Sequence, residues 1–392
     1  MAFEANIWCY PWDLEDEGMD RALDAIQGEL GATGISVAAV YHSVDELRTH
    51  DGVSPRWFRS AGGVQFQPHG SRYCGTRAKP VVAEWLRSRN PLERLAESCA
   101  KRGLALRAWV VCCHGSATAA RNPALATKDV FGAASETWLC PLNPDVQEYL
   151  RALVEDLTHG YRLAGVELEA CGFPGSYHTH KHEKMGTALG AVGRLLLSLC
   201  LCESCRQAAA KDGIDAAAVE RAARVDLEAI LRSGGSERDA APIEAYLAER
   251  EPLRAFLAWR CGRVAALIGR LRTACAGMLM AMRSGEPMMT GAEPTQVAKQ
   301  CDGLIAQAYG ADEAALERIA KQAAAETGAT SRVTVGLNAC AGYARDAASL
   351  VRNVGRAAEL GVGGVSFYNY GMIPPTRLLW VQQAIRYGRR QG

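Results

Sequence analysis

The chain has 392 residues, 48% of them hydrophobic and 22% charged, with a formal net charge of +1. That profile is a soluble globular protein with ample core, built as one large domain or two ordinary ones. With no basic run, no acidic tail and no uncharged apolar stretch of ~18–20 residues, it excludes nucleic acid, an anionic membrane surface and a bilayer span as the main partner.

The opening MAFEANIWCYPWD lacks the basic and apolar regions of a secretory signal, so a cytoplasmic location is expected. In chain order, the strand-like ANIWCYPW leads into an acidic helix, LEDEGMDRALDAIQGELG, and then a second strand, GISVAAVYH. Residues 43–79 form a long irregular stretch with Trp57, Phe66, His69 and Tyr73, a length that suggests a lid or binding loop. The helix NPLERLAESCAKRG precedes a third strand, LALRAWVVCCHG, and PDVQEYLRALVEDLTHG is a helix with Pro in its first turn and Gly past its end. A fourth strand, AGVELEA, follows, then a histidine-rich loop, a cysteine cluster and a strongly helical region. The strands AGMLMAM, GLIAQAY, VTVGLNA and GVSFYNY bring the count to eight, and PPTRLLWVQQAIRYG closes the chain. Eight apolar strands alternating with helices predict a (β/α)8 TIM barrel as one domain over 1–392, with a helical insertion after strand four over 206–275. A doubly wound sheet fits less well, because no Gly-rich phosphate loop follows the first strand.

In a barrel the active face is made by residues just after each strand. Here these include Tyr10, Trp12 and Asp13, then His42, His114, Glu169, Tyr309, Asn338, Tyr368 and Asn369. Aromatics mixed with amides, histidines and carboxylates suit a sugar, whose C–H faces stack on rings while its hydroxyls take hydrogen bonds.

The fourth strand carries the strongest signal. Alternation puts Glu167, Glu169 and Cys171 on one face and Val166, Leu168 and Ala170 on the other. Two buried, unpartnered carboxylates would be costly, so they require a solvated cleft or partners, and at the end of a barrel strand they point to catalysis. Glycoside hydrolysis needs a carboxylic acid and a second carboxylate, ~5–5.5 Å apart for retention or ~6.5–9.5 Å for inversion. Residues two apart on a strand are separated by ~6.5–7 Å but approach a substrate from one side. Glu169, nearer the open end, is therefore the expected acid, with Glu167 tuning it by like charge. Asp13, Glu286 and Glu293 are candidates for the opposing group.

Cys200, Cys202 and Cys205 have the spacing of a shared Zn²⁺ site, which needs a fourth ligand. Cys140 and one of His178, His180 or His182 are the candidates. The three alternating histidines also suit a second metal or sugar hydroxyls, and His178 is taken as a substrate-binding residue. The remaining cysteines, of fourteen in all, read as core thiols.

Cys140 followed by Pro141 and Asn143-Pro144, with Cys200-x-Cys202-x-x-Cys205 after a glutamate-bearing strand, resembles the zinc site of the β-galactosidases of glycoside hydrolase family 42. The resemblance spans residues 138–206. It implies a (β/α)8 barrel, a structural zinc on Cys140, Cys200, Cys202 and Cys205, and a homo-oligomer. The ending GVSFYNYGMIPP is also similar to that of barrel proteins described as glycosyl hydrolases. The chain departs from the family at the dyad: Leu168, not Asn, precedes Glu169, and strand seven offers Asn338 and no carboxylate. The expectation is a glycosidase acting on a small-molecule glycoside or an oligosaccharide. The alternatives are a metal-dependent sugar isomerase or lyase on the same fold, and a carbohydrate-binding barrel without catalysis.

Overall fold

A computed structural model describes residues 3–175, 184, 186–235, 239 and 241–391. Eight parallel strands close on themselves: β1 Glu4–Cys9, β2 Gly34–Tyr41, β3 Ala105–Val111, β4 Gly165–Glu169, β5 Met278–Met282, β6 Gly303–Gln307, β7 Val333–Asn338 and β8 Gly364–Tyr368. Each pairs with the next, and β1 pairs with both β2 and β8. The chain is a closed (β/α)8 barrel surrounded by helices, as the alternation of strand and helix patterns predicts.

The period-2 pattern sorts the core into two shells. Ile7, Val37, Val110, Val166 and Leu168 face outward and pack under the helices with Leu95, Leu150, Leu316 and Val354. Trp8, Ala38, Trp109, Met280 and Ile305 face inward, joined above the strand ends by Tyr10, Trp12, Tyr41 and Phe58. Bulky aromatics fill the barrel where branched aliphatics commonly do. Burying each large side chain contributes roughly 1.5–3 kcal/mol, an upper figure because the unfolded chain is itself partly collapsed.

The helices end where the sequence lets them. Pro91–Arg102 stops at Gly103, whose φ of 65° is left-handed. Pro144–Glu155 starts at Asn143, whose side chain accepts from the backbone N–H groups of Asp145 and Val146. The helix expected after β1 divides at Gly18, φ 96°, into Pro11–Glu17 and Met19–Asp24.

The stretch 43–79 is more ordered than its composition suggests. It contains an antiparallel hairpin, Val44–Leu47 with Trp57–Ser60, and a short strand, Gly63–Val64, antiparallel to β2. Between β4 and β5 run the helices Ala191–Leu197, Glu203–Lys211, Ala216–Ser233, Ile243–Ala248 and Glu251–Ala274. They pack around an apolar cluster of their own that includes Val192, Leu195, Val219, Leu227 and Phe256. No helix among the described residues is long and apolar enough to cross a membrane.

Candidate active site and cysteine centre

The two glutamates of β4 point into the barrel at different depths. Glu167 lies in the lower tier, where Oε2 accepts from Trp8 Nε1 at 2.7 Å and Oε1 accepts from Ser36 Oγ at 2.6 Å. Beneath it Asn6 donates to Ser36 Oγ and Ser366 Oγ, both at 2.9 Å. Burial pushes the Glu167 carboxyl up, against the pull of the Ser36 bond, the Arg107 charge and the Trp8 bond. Both oxygens of Glu167 are thus engaged within the barrel.

Glu169 stands one pleat higher, at the mouth. Its Oε2 accepts from Trp109 Nε1 at 2.5 Å. Burial raises its carboxyl above the ordinary value and the Trp109 bond partly offsets this; burial, not like charge from Glu167, is the leading cause. The next residue, Ala170, adopts φ 49°, a left-handed conformation that costs a non-glycine residue about 1–2 kcal/mol. Strain of this kind directly after an ionisable strand-end residue is a mark of functional sites.

Glu169 opens onto a cavity of about 980 Å³, lined also by His114, Trp138, Phe173, Glu286 and Gln307. The wall is tight at Gly172, where a Cβ would lie 2.4 Å from the Thr290 carbonyl oxygen. On the other side of Glu169 stands a set of tyrosines. Tyr10 OH lies 2.8 Å from Tyr41 OH and 2.7 Å from Tyr368 OH, and the ring of Tyr309 is 5.8 Å from that of Tyr368. Burial raises all four hydroxyls, that of Tyr368 to about 12, and the Glu169 charge adds to the rise at Tyr41, Tyr309 and Tyr368. They are hydrogen-bonding groups that stay protonated.

Other expected residues take distinct places. His42 stacks on Tyr41 at 4.2 Å and on His114 at 4.3 Å, and His114 stacks on Trp138 at 4.8 Å. This row of rings runs from the tyrosines to the cavity. Trp12 is closed under the hairpin, stacked between Tyr10 and Phe58 at 4.5 Å from each, with its N–H on Glu46 Oε2 at 2.7 Å. Asp13 lies there too, 3.6 Å from Arg48 and so close to Gly371 that a Cβ on that glycine would sit 2.0 Å from Oδ2. Burial, then Glu46, hold the Asp13 carboxyl well above its usual range, against the pull of Arg48. Asn338 borders a separate cavity of about 110 Å³ with Tyr343 and Asn353. Asn369 is fully buried, its side chain accepting from Gly371 N at 3.3 Å. His178 lies outside the described residues, as do His180 and His182.

Of the candidate opposing carboxylates, Glu286 lines the same cavity as Glu169. Glu293 instead caps the helix Pro294–Ala298, accepting from Thr295 N and Gln296 N. Sequence reasoning missed Trp109, Trp138, Glu46 and Arg48. Trp109 was accessible by alternation, because it shares the inward face of β3 with Arg107 and pairs in register with Glu167.

Cys140, Cys200, Cys202 and Cys205 converge in a buried group whose sulfur atoms all lie within 4.8 Å of one another. Cys140 Sγ is 3.5 Å from Cys205 Sγ, 3.5 Å from Cys202 Sγ and 3.9 Å from Cys200 Sγ. Four sulfurs at ~2.3 Å from one ion stand about 3.8 Å apart in a tetrahedron, so the set fits a thiophilic metal ion. Cys202 occupies the N-cap position of the helix Glu203–Lys211 and Cys205 lies in its first turn. This is the one such ligand group among the described residues.

The fold and site define a barrel with an acidic, aromatic-lined mouth and a buried four-cysteine centre. Neither a protein-family model nor a curated protein matches the chain in sequence. Solved structures do resemble it. The catalytic domain of β-amylase from Paenibacillus polymyxa aligns with a TM-score of 0.57 at 10% identity, over 98% of both chains. The β-galactosidase of Marinomonas ef1 aligns with a TM-score of 0.57 at 11% identity, over 98% of this chain and 59% of that one. For α-L-fucosidase isoenzyme 2 from Paenibacillus thiaminolyticus the TM-score is 0.57 and the identity 11%, over 98% of this chain and 49% of that one. At such identities the likeness establishes the fold.

Proposed function

We propose that the protein is a glycosidase in which Glu169 is the general acid. The observation that carries this is a strand-end carboxyl, raised by burial, opening onto a cavity of about 980 Å³ that is also lined by the carboxylates Glu136 and Glu286. A carboxyl raised by burial holds its proton to higher pH than an ordinary glutamate and can deliver it to a leaving glycosidic oxygen. Glu286, arriving from the β5 loop, is the opposing nucleophile or base. It takes the role that strand seven, ending in Asn338, does not fill. Glu167 supports the barrel interior from below. The cavity is at the large end of the range for small-ligand sites, which favours an oligosaccharide over a monosaccharide glycoside. The fold neighbours named amylase, galactosidase and fucosidase support the same class. The ion held by the four cysteines is zinc, in a structural role: the donor set is closed, all-thiolate and buried.

The test is turnover of a panel of aryl glycosides and oligosaccharides by wild type and Glu169→Gln, with calorimetric binding on both. Loss of about 10²–10⁴-fold in kcat with binding retained supports the acid role. Wild-type binding without turnover on any substrate favours a carbohydrate-binding barrel, a reading for which the amide at the end of strand seven is the specific support.

A further inference from the structure

Besides Glu169, the large cavity is lined by Glu136, Glu286, Arg194 and Arg283, and its two cations differ in their partners. Arg283, just past the end of β5, is paired: its Nε and Nη2 hold the two carboxylate oxygens of Glu326 at 2.6 and 2.7 Å. Arg194 is not. It stands on the helix Ala191–Leu197, in the insertion between β4 and β5, and its Nη1 donates to the Leu189 carbonyl at 2.9 Å. Its Nε is enclosed without an acceptor, and among the described residues no carboxylate lies within ion-pair distance of the guanidinium. The edge formed by Nε and Nη2, with which Arg283 grips Glu326, is therefore unanswered in Arg194.

A guanidinium keeps its charge, and an enclosed N–H without an acceptor costs stability. A side chain that merely closed the wall could be apolar, as Leu189 and Leu197 beside it are. An anion brought by the substrate would supply what the edge lacks. The acids of the cavity sharpen that preference, since carboxylates at Glu136 and Glu286 repel a negative group placed near them. One unpaired cation among acids thus fixes the register in which an anionic sugar can lie. A uronate suits it, because a planar carboxylate offers two oxygens to one guanidinium edge while the sugar ring keeps C–H faces for an aromatic such as Trp138.

We propose that the substrate is a uronic-acid glycoside and that Arg194 binds its carboxylate, setting specificity for the acidic sugar. The inference rests on the glycosidase reading of the same cavity. It also gives the insertion a task, which is to carry the specificity residue to a site whose acid comes from β4.

The experiment uses the full-length protein and matched pairs of aryl glycosides in both anomers, glucuronide against glucoside and galacturonide against galactoside. Calorimetry uses short oligosaccharides of the same acids and of their neutral counterparts. Both kcat/KM and Kd are measured for wild type, Arg194→Met and Arg194→Lys, with circular dichroism to establish that each is folded. The quantity read is the preference for the acidic member of a pair. Wild type should prefer the uronide, and that preference should fall about 10–150-fold in Arg194→Met, the equivalent of a hydrogen bond to a charged group. Arg194→Lys, which keeps the charge but not the planar edge, should recover part of it. Should Arg194→Met fail to fold, Arg194→Gln replaces it as the neutral variant, since its amide can still reach the Leu189 carbonyl.

A wild type that prefers the neutral sugar in every pair, or that neither turns over nor binds any uronate, overturns the inference; turnover of neutral glycosides would then leave the glycosidase reading standing. Equal losses on both members of a pair in the neutral variant also overturn it, because Arg194 would then only support the wall. Uronate binding that depends on Arg194, without turnover of any glycoside, supports the carboxylate site and removes the glycosidase reading instead.

Discussion

Trp109 and Glu169 are joined across adjacent strands by an indole N–H to carboxylate bond of 2.5 Å, a hydrogen bond that sets the ionisation of the strand-end glutamate against its burial. The bond favours the charged form, so it lowers a pKa that burial has raised. In Trp109→Phe the carboxyl rises further, and the protonated acid persists to higher pH. The alkaline limb of the kcat profile should therefore move upward. A limb that stays in place, or moves down, would detach Glu169 from that limb.

Glu167 accepts from both Trp8 and Ser36, and removing it strands two buried donors. Glu167→Leu should cost about 2–6 kcal/mol in urea unfolding, at roughly 1–3 kcal/mol for each unsatisfied group. Glu167→Gln keeps an acceptor and should recover most of that. In both variants the kcat of the folded fraction should stay close to wild type, in contrast with Glu169→Gln.

Arg48 holds the acidic pocket under the hairpin, with Asp16 at 2.6 Å, Asp13 at 3.6 Å and the Pro55 carbonyl at 2.5 Å. Taking one partner from a buried ion pair typically costs about 3–5 kcal/mol, the loss expected for Arg48→Met. The pH dependence has a definite sign. The folded Asp13 carboxyl lies above its unfolded value, so the folded state binds its proton more tightly, and stability falls as pH rises from about 4 through the folded value. Without Arg48 the folded value rises again and the fall deepens. Urea midpoints at about pH 5 and pH 8 should diverge more in Arg48→Met than in wild type.

Thirteen of the fourteen cysteines are buried and Cys74 is exposed. Under native conditions a thiol reagent should modify one group rapidly, and Cys74→Ser should abolish that fast phase. A strong chelator should release one zinc per chain and bring four further thiols into reaction, with loss of stability, because ion binding and folding are linked. Cys202→Ser should carry no metal.

The barrel was legible in the sequence because its two signals reinforce each other. Eight apolar strands alternate with amphipathic helices, and inside β4 alternation alone turned Glu167 and Glu169 inward. The cysteine set was legible because three ligands fall within six residues, while Cys140 needed the resemblance. The hairpin at 44–60 was not, since four-residue strands such as Val44–Leu47 are too short to establish a period. The surroundings of Asp13 depend on Arg48 and Gly371, which lie 35 and 358 positions further along the chain, so no local pattern foretold them. Arg194 was hidden for the reverse reason. A charge in a short helix reads as a solvated face, and only the tertiary packing turns it to the cavity.

The aromatic stack at the mouth has an optical consequence. Trp109, Tyr10, Trp12 and Phe58 follow one another at 5.7, 4.5 and 4.5 Å, with Trp8 6.4 Å from Trp109 and Trp85 6.2 Å from Trp12. At such separations excitation passes between rings faster than it is emitted, so four of the eight tryptophans fluoresce as one unit. That unit touches Glu169 at one end and the hairpin at the other. The protein thus carries its own lamp beside Glu169, and a titration of that carboxyl can be followed without attaching a label.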